Sequence, residues 1–180
     1  FRERHHHVWS SDQHVEAHFI SCLMTQNAAV IGGAVVAKEG AQVRMLGCTL
    51  ADNRVVGDAA RGSAIYVGGS TTLAPKVSLE NSIVAERGPL SSAIVISNTS
   101  GTLTARGCVL PPSAASLAAG NVLGSAEFTG KGSEPYSLTP RSPAVKAAVR
   151  ELFGTESKDL TGGNRFGTEG ACDAGAFCLR

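Results

Sequence analysis

Cys22-Leu23-Met24, Cys48-Thr49-Leu50, Ser82-Ile83-Val84 and Cys108-Val109-Leu110 are four occurrences of one phrase, each closing an alternating apolar stretch. Their starts lie 26, 34 and 26 residues apart. That period matches one supersecondary unit and marks a stacked repeat, not a single closed core. A second phrase interleaves with the first: Gly32-Gly33-Ala34-Val35-Val36, Gly62-Ser63-Ala64-Ile65-Tyr66 and Ser91-Ser92-Ala93-Ile94-Val95 recur at spacings of 30 and 29. Each repeat therefore carries at least two short strands separated by turns.

Aligned on the Cys/Ser position, the repeats form columns. One reads Ala17, Val43, Val77, Leu103, the next Phe19, Met45, Leu79, Ala105, and a third Met24, Leu50, Val84, Leu110. Between the first two stand His18, Arg44, Ser78 and Thr104, polar in every repeat. Alternation with period two marks strands that bury one face. Helix pairs also have periods near 30, but these repeats are rich in Gly, Ser, Thr and Val and lack runs of strong helix formers. The expected fold is all-β: a right-handed parallel β-helix of about four coils, the architecture called pectin-lyase-like, ending in a C-terminal cap. Residues 1–13 are expected to form a leader or incomplete first coil, 14–119 the coils, and 120–180 the capping segment.

Composition agrees. The 180 residues suit one domain, 5% aromatic content fits a narrow interior of Val, Ile, Leu, Ala and Cys, and 21 glycines supply turns. A net charge of +1 shows no footprint for nucleic acid. No run of 18 apolar residues is present to span a membrane as a helix. The chain begins at Phe1 without an initiator Met or a signal peptide, so the expectation is a mature or excised piece of something longer; His5-His6-His7 is too short for an ordinary affinity tag.

Five cysteines leave at least one unpaired within the chain. Cys22, Cys48 and Cys108 share one inward column and read as small packing hydrophobes. Cys22 and Cys48 would sit about 4.8 Å apart on neighbouring coils, with parallel Cβ vectors that make a disulfide awkward. Cys172 and Cys178 bracket a short loop outside the repeat and form a disulfide candidate.

From Gly120 a new pattern appears: Gly120-Asn121-Val122-Leu123-Gly124, Tyr136-Ser137-Leu138-Thr139-Pro140-Arg141-Ser142-Pro143-Ala144-Val145, Asp159-Leu160-Thr161-Gly162-Gly163-Asn164-Arg165, and Cys172-Asp173-Ala174-Gly175-Ala176-Phe177. In order and spacing these phrases resemble the C-terminal end of the secreted right-handed β-helix proteins of the choice-of-anchor Q type. The Gly-Gly-Ala-Val phrase preceded by Asn27 is similar to repeats of polymorphic outer-membrane adhesins. Two positions depart from the first pattern: Lys146 stands where an acid is usual, and Cys178 where the terminal Glu is usual. The resemblance implies a secreted or cell-surface β-helix, most of whose relatives have no demonstrated activity. Independently, an open end exposes unpaired backbone and apolar columns that a terminal segment must cover, and Pro140 and Pro143 would end a ladder. Asp173 is expected to pair with Arg165 inside this cap.

Because β-helices also serve as lyases, hydrolases and epimerases of polysaccharides, fold alone does not decide function. Such sites need clustered carboxylates with a proton carrier on the same outer face. Of the five Asp, none stands in an Asp-x-Asp or Asp-Asp arrangement. The best patch is Asp52, Glu80, Glu86 and Arg87, which a solvated turn of mixed charge explains equally well. His14, Glu16 and His18 alternate and would share one outward strand face, a donor set for a divalent metal or an ordinary polar face. Asn98-Thr99-Ser100 is a glycosylation sequon or a polar turn. No nucleophile elbow or phosphate loop is present, Gly68-Gly69-Ser70-Thr71-Thr72 reads as a turn, and no cofactor is implied. The outward rank His18, Arg44, Ser78, Thr104 is too mixed for an ice-binding face.

Two functions follow as expectations. The first is a non-catalytic extracellular module for adhesion, glycan contact or structural assembly, with a polysaccharide, a surface protein or further domains of a longer chain as partners. The second is a carbohydrate-active enzyme of the lyase or hydrolase kind working near Asp52, Glu80, Glu86 and Arg87.

Overall fold

The computed structural model describes residues 15–57, 61–69, 73–85, 93–97, 101–167 and 170–179. The first repeat runs through β1 (Glu16–Ile20), β2 (Leu23–Thr25), β3 (Ala28–Ala29) and β4 (Val35–Ala37). The second holds β5 (Gln42–Leu46), β6 (Thr49–Ala51), β7 (Arg54–Val55) and β8 (Ile65–Gly68). The third contributes β9 (Lys76–Glu80), β10 (Ile83–Ala85) and β11 (Ile94–Ser97), and the fourth β12 (Thr102–Arg106) and β13 (Val109–Leu110), followed by β14 (Val122–Leu123).

Each repeat adds its strands to the same sheets. The first sheet has the order β1-β5-β9-β12, the second β14-β13-β10-β6-β2, the third β11-β8-β4, and a small fourth pairs β3 with β7. Every strand pair among the described residues is parallel. The protein is all-β, and its registers are those of the sequence columns: Ala17, Val43, Val77 and Leu103 stack in line, as do Phe19, Met45, Leu79 and Ala105. The main core joins Val43, Met45, Leu50, Val77, Leu79 and Val84 with Ile65 and Val67 of the third sheet. Burying each of these side chains contributes about 1.5–3 kcal/mol.

The corner between the first and second sheets repeats a left-handed residue: Ser21, Gly47, Asn81 and Gly107 have φ of 53°, 60°, 49° and 68°. Gly adopts this conformation freely and Asn more readily than most side chains. The corner stacks by backbone bonds, Ser21 N to Leu46 O, Gly47 N to Glu80 O and Asn81 N to Arg106 O, at 2.9 Å each. One residue further on, Cys48 and Cys108 are fully buried and Cys22 is partly so. Ser82 occupies the same column without penalty because its hydroxyl is bonded: it accepts from Cys48 N at 3.0 Å and donates to Glu80 O at 2.9 Å.

The segment from Gly120 onward packs on the sheets of the repeats. Its start continues the second sheet, since Val122 and Leu123 pair with Val109 and Leu110. Between β13 and β14 lies a 3-10 helix over Pro112–Leu117, whose Ala114 and Leu117 pack on the main core. Described residues from 126 to 167 and from 170 to 179 pack on the outer face of the second sheet. They bury Ile83 and Val109 under Ala126, Leu138, Ala144 and Ala174, and Ala51 under Tyr136, Ala176 and Phe177. Leu46, at the end of β5, is buried by Phe153 and Cys172. The physical reason lies in the middle residue of the repeated phrase. Leu23, Thr49, Ile83 and Val109 point away from the main core, and an outward rank so poor in charge needs a cover. Gly175 lets the tail come close: its φ is 97°, and a Cβ there would lie 2.5 Å from Ile83 Cδ1 and 2.8 Å from Thr49 Oγ1.

Helix among the described residues is limited to that 3-10 segment and one turn, α1 (Arg150–Phe153). No helix among them is long and apolar enough to cross a membrane.

Candidate functional site

Where β2 and β6 end, the chain turns through a second left-handed corner formed by Gln26 (φ 58°) and Asp52 (φ 54°). Asp tolerates this conformation better than most side chains. Gln26 N bonds Ala51 O at 3.4 Å and Asp52 N bonds Ala85 O at 3.2 Å, so the two residues stack on successive rungs.

The tail brings two aromatic rings to this corner. Phe128 bridges antiparallel to Leu138, and the loop between them is pinned by Thr129 N to Ser137 O and Gly130 N to Pro135 O, both 2.9 Å. Phe128 and Tyr136 meet edge to face, with centroids 5.6 Å apart and planes at 79°, a favoured aromatic geometry. Tyr136 is buried, and its hydroxyl donates to Asp52 Oδ2 at 3.0 Å while accepting from Gln26 Nε2 at 3.4 Å. The result is a groove of about 510 Å³. Pro111, Pro112 and Pro135 form much of its apolar wall beside Phe128, and Gln26, Asp52, Ser125 and Tyr136 supply the polar groups. Its volume falls within the range of small-ligand sites, and its lining is mixed, with apolar and polar surface in similar shares.

Burial, with Asp52 opposing ionisation, pushes the Tyr136 phenol above its ordinary range despite the opposing Gln26 bond. At neutral pH Tyr136 is therefore an O–H donor and not a base.

The expected carboxylate patch is divided. Asp52 lines the groove, whereas Glu80 sits on β9 of the first sheet and accepts from Arg44 Nε at 3.0 Å and from Ser78 Oγ at 3.1 Å. The hydrogen bond to Glu80 raises Arg44 above its ordinary range, even against partial desolvation. Glu86 and Arg87 lie outside the described residues, as do His14 and Asn98. Glu16 and His18 are exposed on the same face of β1. They border a shallower depression of about 330 Å³ with Arg44, Lys76 and Thr104, where charges of both signs are interspersed. No three His, Cys, Asp or Glu side chains are grouped to hold a metal among the described residues.

Two expectations for the tail are corrected. Cys172 and Cys178 are both free thiols: Cys172 packs with Leu46 and Phe153, while Cys178 faces the Arg165 guanidinium at 3.8 Å. Nor does Asp173 pair with Arg165. Asp173 accepts backbone N–H groups of Lys146 at 2.8 Å and Leu179 at 2.7 Å, and Arg165 turns inward to main-chain carbonyls. Carboxylate and guanidinium each satisfy loop backbone that a mutual pair would leave unbonded.

Phe128 and Tyr136 were not singled out as site residues by sequence. The available signal was the outward rank Leu23, Thr49, Ile83, Val109, because a covered flank brings tail aromatics beside whatever polar residues edge that flank. No family model matches the chain, and neither the curated proteins nor the solved structures provide a match.

Proposed function

We propose that the chain is a right-handed parallel β-helix of about four coils and acts as a non-catalytic, secreted or cell-surface module that holds glycan in the groove between Asp52 and Phe128. Four successive repeats adding parallel strands to the same sheets support the coil reading, and crossovers between parallel strands are right-handed in nearly all proteins. The observation that carries the function is the Tyr136–Asp52 hydrogen bond beside the Phe128 ring. An apolar ring and proline faces suit the C–H face of a pyranose, while a carboxylate, an amide and a phenol meet its hydroxyls.

The same geometry disfavours turnover. Glycosidases place two carboxyl groups about 5–9.5 Å apart across the scissile bond. The described lining of this groove holds one carboxylate, already bonded to a phenol that stays protonated.

Calorimetric titration of oligosaccharides into the parent and into Phe128→Ala tests the reading. Binding that weakens at least about tenfold in the variant, a loss of ~1.4 kcal/mol, with no new reducing ends or unsaturated products, is expected. Product release abolished by Asp52→Asn would establish an enzyme instead.

A further inference from the structure

We propose that Cys22 and Cys48 form a two-thiolate site for a soft monovalent metal ion, copper(I). The two residues stand on successive rungs of one column, immediately before Leu23 and Thr49, which pair in register across β2 and β6. Thr49 N donates to Cys22 O at 2.9 Å and holds that register. The sulfurs reach consecutive carbonyls of the first repeat, Cys22 Sγ to Ile20 O and Cys48 Sγ to Phe19 O, both at 3.3 Å. A side-chain hydrogen bond joins the two thiols.

Neighbouring strands lie about 4.8 Å apart, whereas the Cβ atoms of a disulfide lie about 3.8 Å apart on converging vectors. Parallel side chains at the strand spacing are therefore set wide for an S–S bond. An ion held between the sulfurs takes up the difference.

The surroundings select the ion. Met24 and Met45, the two methionines of the chain, belong to the same core cluster as Cys22 and Cys48. Thiolate and thioether sulfur prefer copper(I) to the harder divalent cations. Cys22 is only partly buried, which gives an ion a path to the pair.

Charge points the same way. One Cu⁺ replaces two thiol protons, which leave to solvent, so the bound unit carries one net negative charge. Arg165 is buried and donates to Ser21 Oγ at 3.0 Å and to Gly47 O at 3.4 Å, on the residues immediately before Cys22 and Cys48. Its bonded partners are carbonyls, that hydroxyl and the Cys178 thiol. A buried guanidinium bonded to neutral groups thus stands beside the place where the anion forms, and opposite charges lower the cost of burying each other.

The experiment titrates copper(I) anaerobically into the whole chain against bicinchoninate as competitor, and repeats this with Cys22→Ser, Cys48→Ser and the controls Cys172→Ser and Cys178→Ser. Ser82 shows that the column accepts serine, and circular dichroism checks the fold of each variant. The parent and both controls are expected to hold one tight equivalent. Loss of an outer-shell partner already costs about 10–100-fold in metal affinity, so Cys22→Ser and Cys48→Ser are each expected to weaken it at least about hundredfold. Copper(I) should also raise the melting temperature of the parent and not of Cys48→Ser. Equal affinity in parent and Cys48→Ser, loss of the equivalent in Cys178→Ser, or no uptake at all overturns the proposal. X-ray absorption of the copper-loaded parent is a check that needs no variant: two sulfur neighbours are expected, and a shell without them overturns the site.

Discussion

Arg165 Nη2 donates to Ser21 Oγ at 3.0 Å, joining the tail to the first repeat across 144 positions of sequence. The same guanidinium donates to Lys158 O and Gly175 O at 2.9 Å each, reaches Gly47 O at 3.4 Å, and lies 4.7 Å over the Phe153 ring. It is 2% exposed. A buried cation among carbonyl oxygens is tolerated because every face of the fork has an acceptor or a π surface.

Removing it strands those acceptors. Arg165→Met is expected to lower stability by about 3 kcal/mol, read as a shift of the urea midpoint. Arg165→Lys is expected to restore little, since an ammonium lacks the planar fork.

The tail's close approach rests on two further positions. Thr49 Oγ1 accepts from Ala176 N at 2.9 Å within a buried contact, so Thr49→Val, which removes the acceptor and keeps the shape, should cost about 1–2 kcal/mol. Gly175→Ala combines a left-handed φ with a Cβ against Ile83, and its cost is expected to reach or exceed about 2 kcal/mol. Thermal unfolding of the two variants measures both.

Alkaline pH should weaken the fold through its thiols. Burial pushes Cys108 and Cys178 up to about 11 from an ordinary value of 9.0. A thiol raised in the folded state keeps its proton there after the unfolded chain has lost it. Stability from these groups is therefore complete below about pH 9 and declines as pH rises toward 11. Denaturation midpoints across that window should fall, and Cys108→Ala should flatten the decline. Thiol titration in denaturant without reductant is expected to count five free groups per chain, matching the five free cysteines. Three would instead indicate one disulfide.

At the groove, Tyr136→Phe keeps the ring against Phe128 and removes the donor to Asp52. Sugar affinity is expected to fall several-fold, with a stability loss of about 1 kcal/mol, in paired calorimetric and thermal measurements. Affinity unchanged in Tyr136→Phe would remove the phenol from the site.

The strand registers were legible because inward columns such as Val43, Val77 and Leu103 repeat one chemical requirement at one spacing. Ser82 in the Cys column obscured nothing, since a small bonded hydroxyl meets the same steric demand. The tail's course was not legible from Pro140 or Pro143, which say where a ladder stops but not where the chain goes next. Its destination was encoded in Thr49, Ile83 and Val109, read singly as strand residues when their meaning lay in the rank they form. The groove shared that fate. Asp52 could be named from its charge, but its partner Tyr136 lies 84 positions away and meets it only because the tail covers the flank.

A row of repeats in which each touches only its neighbours loses structure from its ends, one unit at a time. Here Arg165 reaches Ser21 of the first repeat, Ala176 reaches Thr49 of the second, Val149 bonds Asn81 of the third on both sides of its amide, and Ala126 and Ala174 share a cluster with Val109 of the fourth. Fraying of any one repeat must break contacts with a segment also fastened to the others. The tail thus converts a linear array into a single cooperative unit, whose parts persist or melt together.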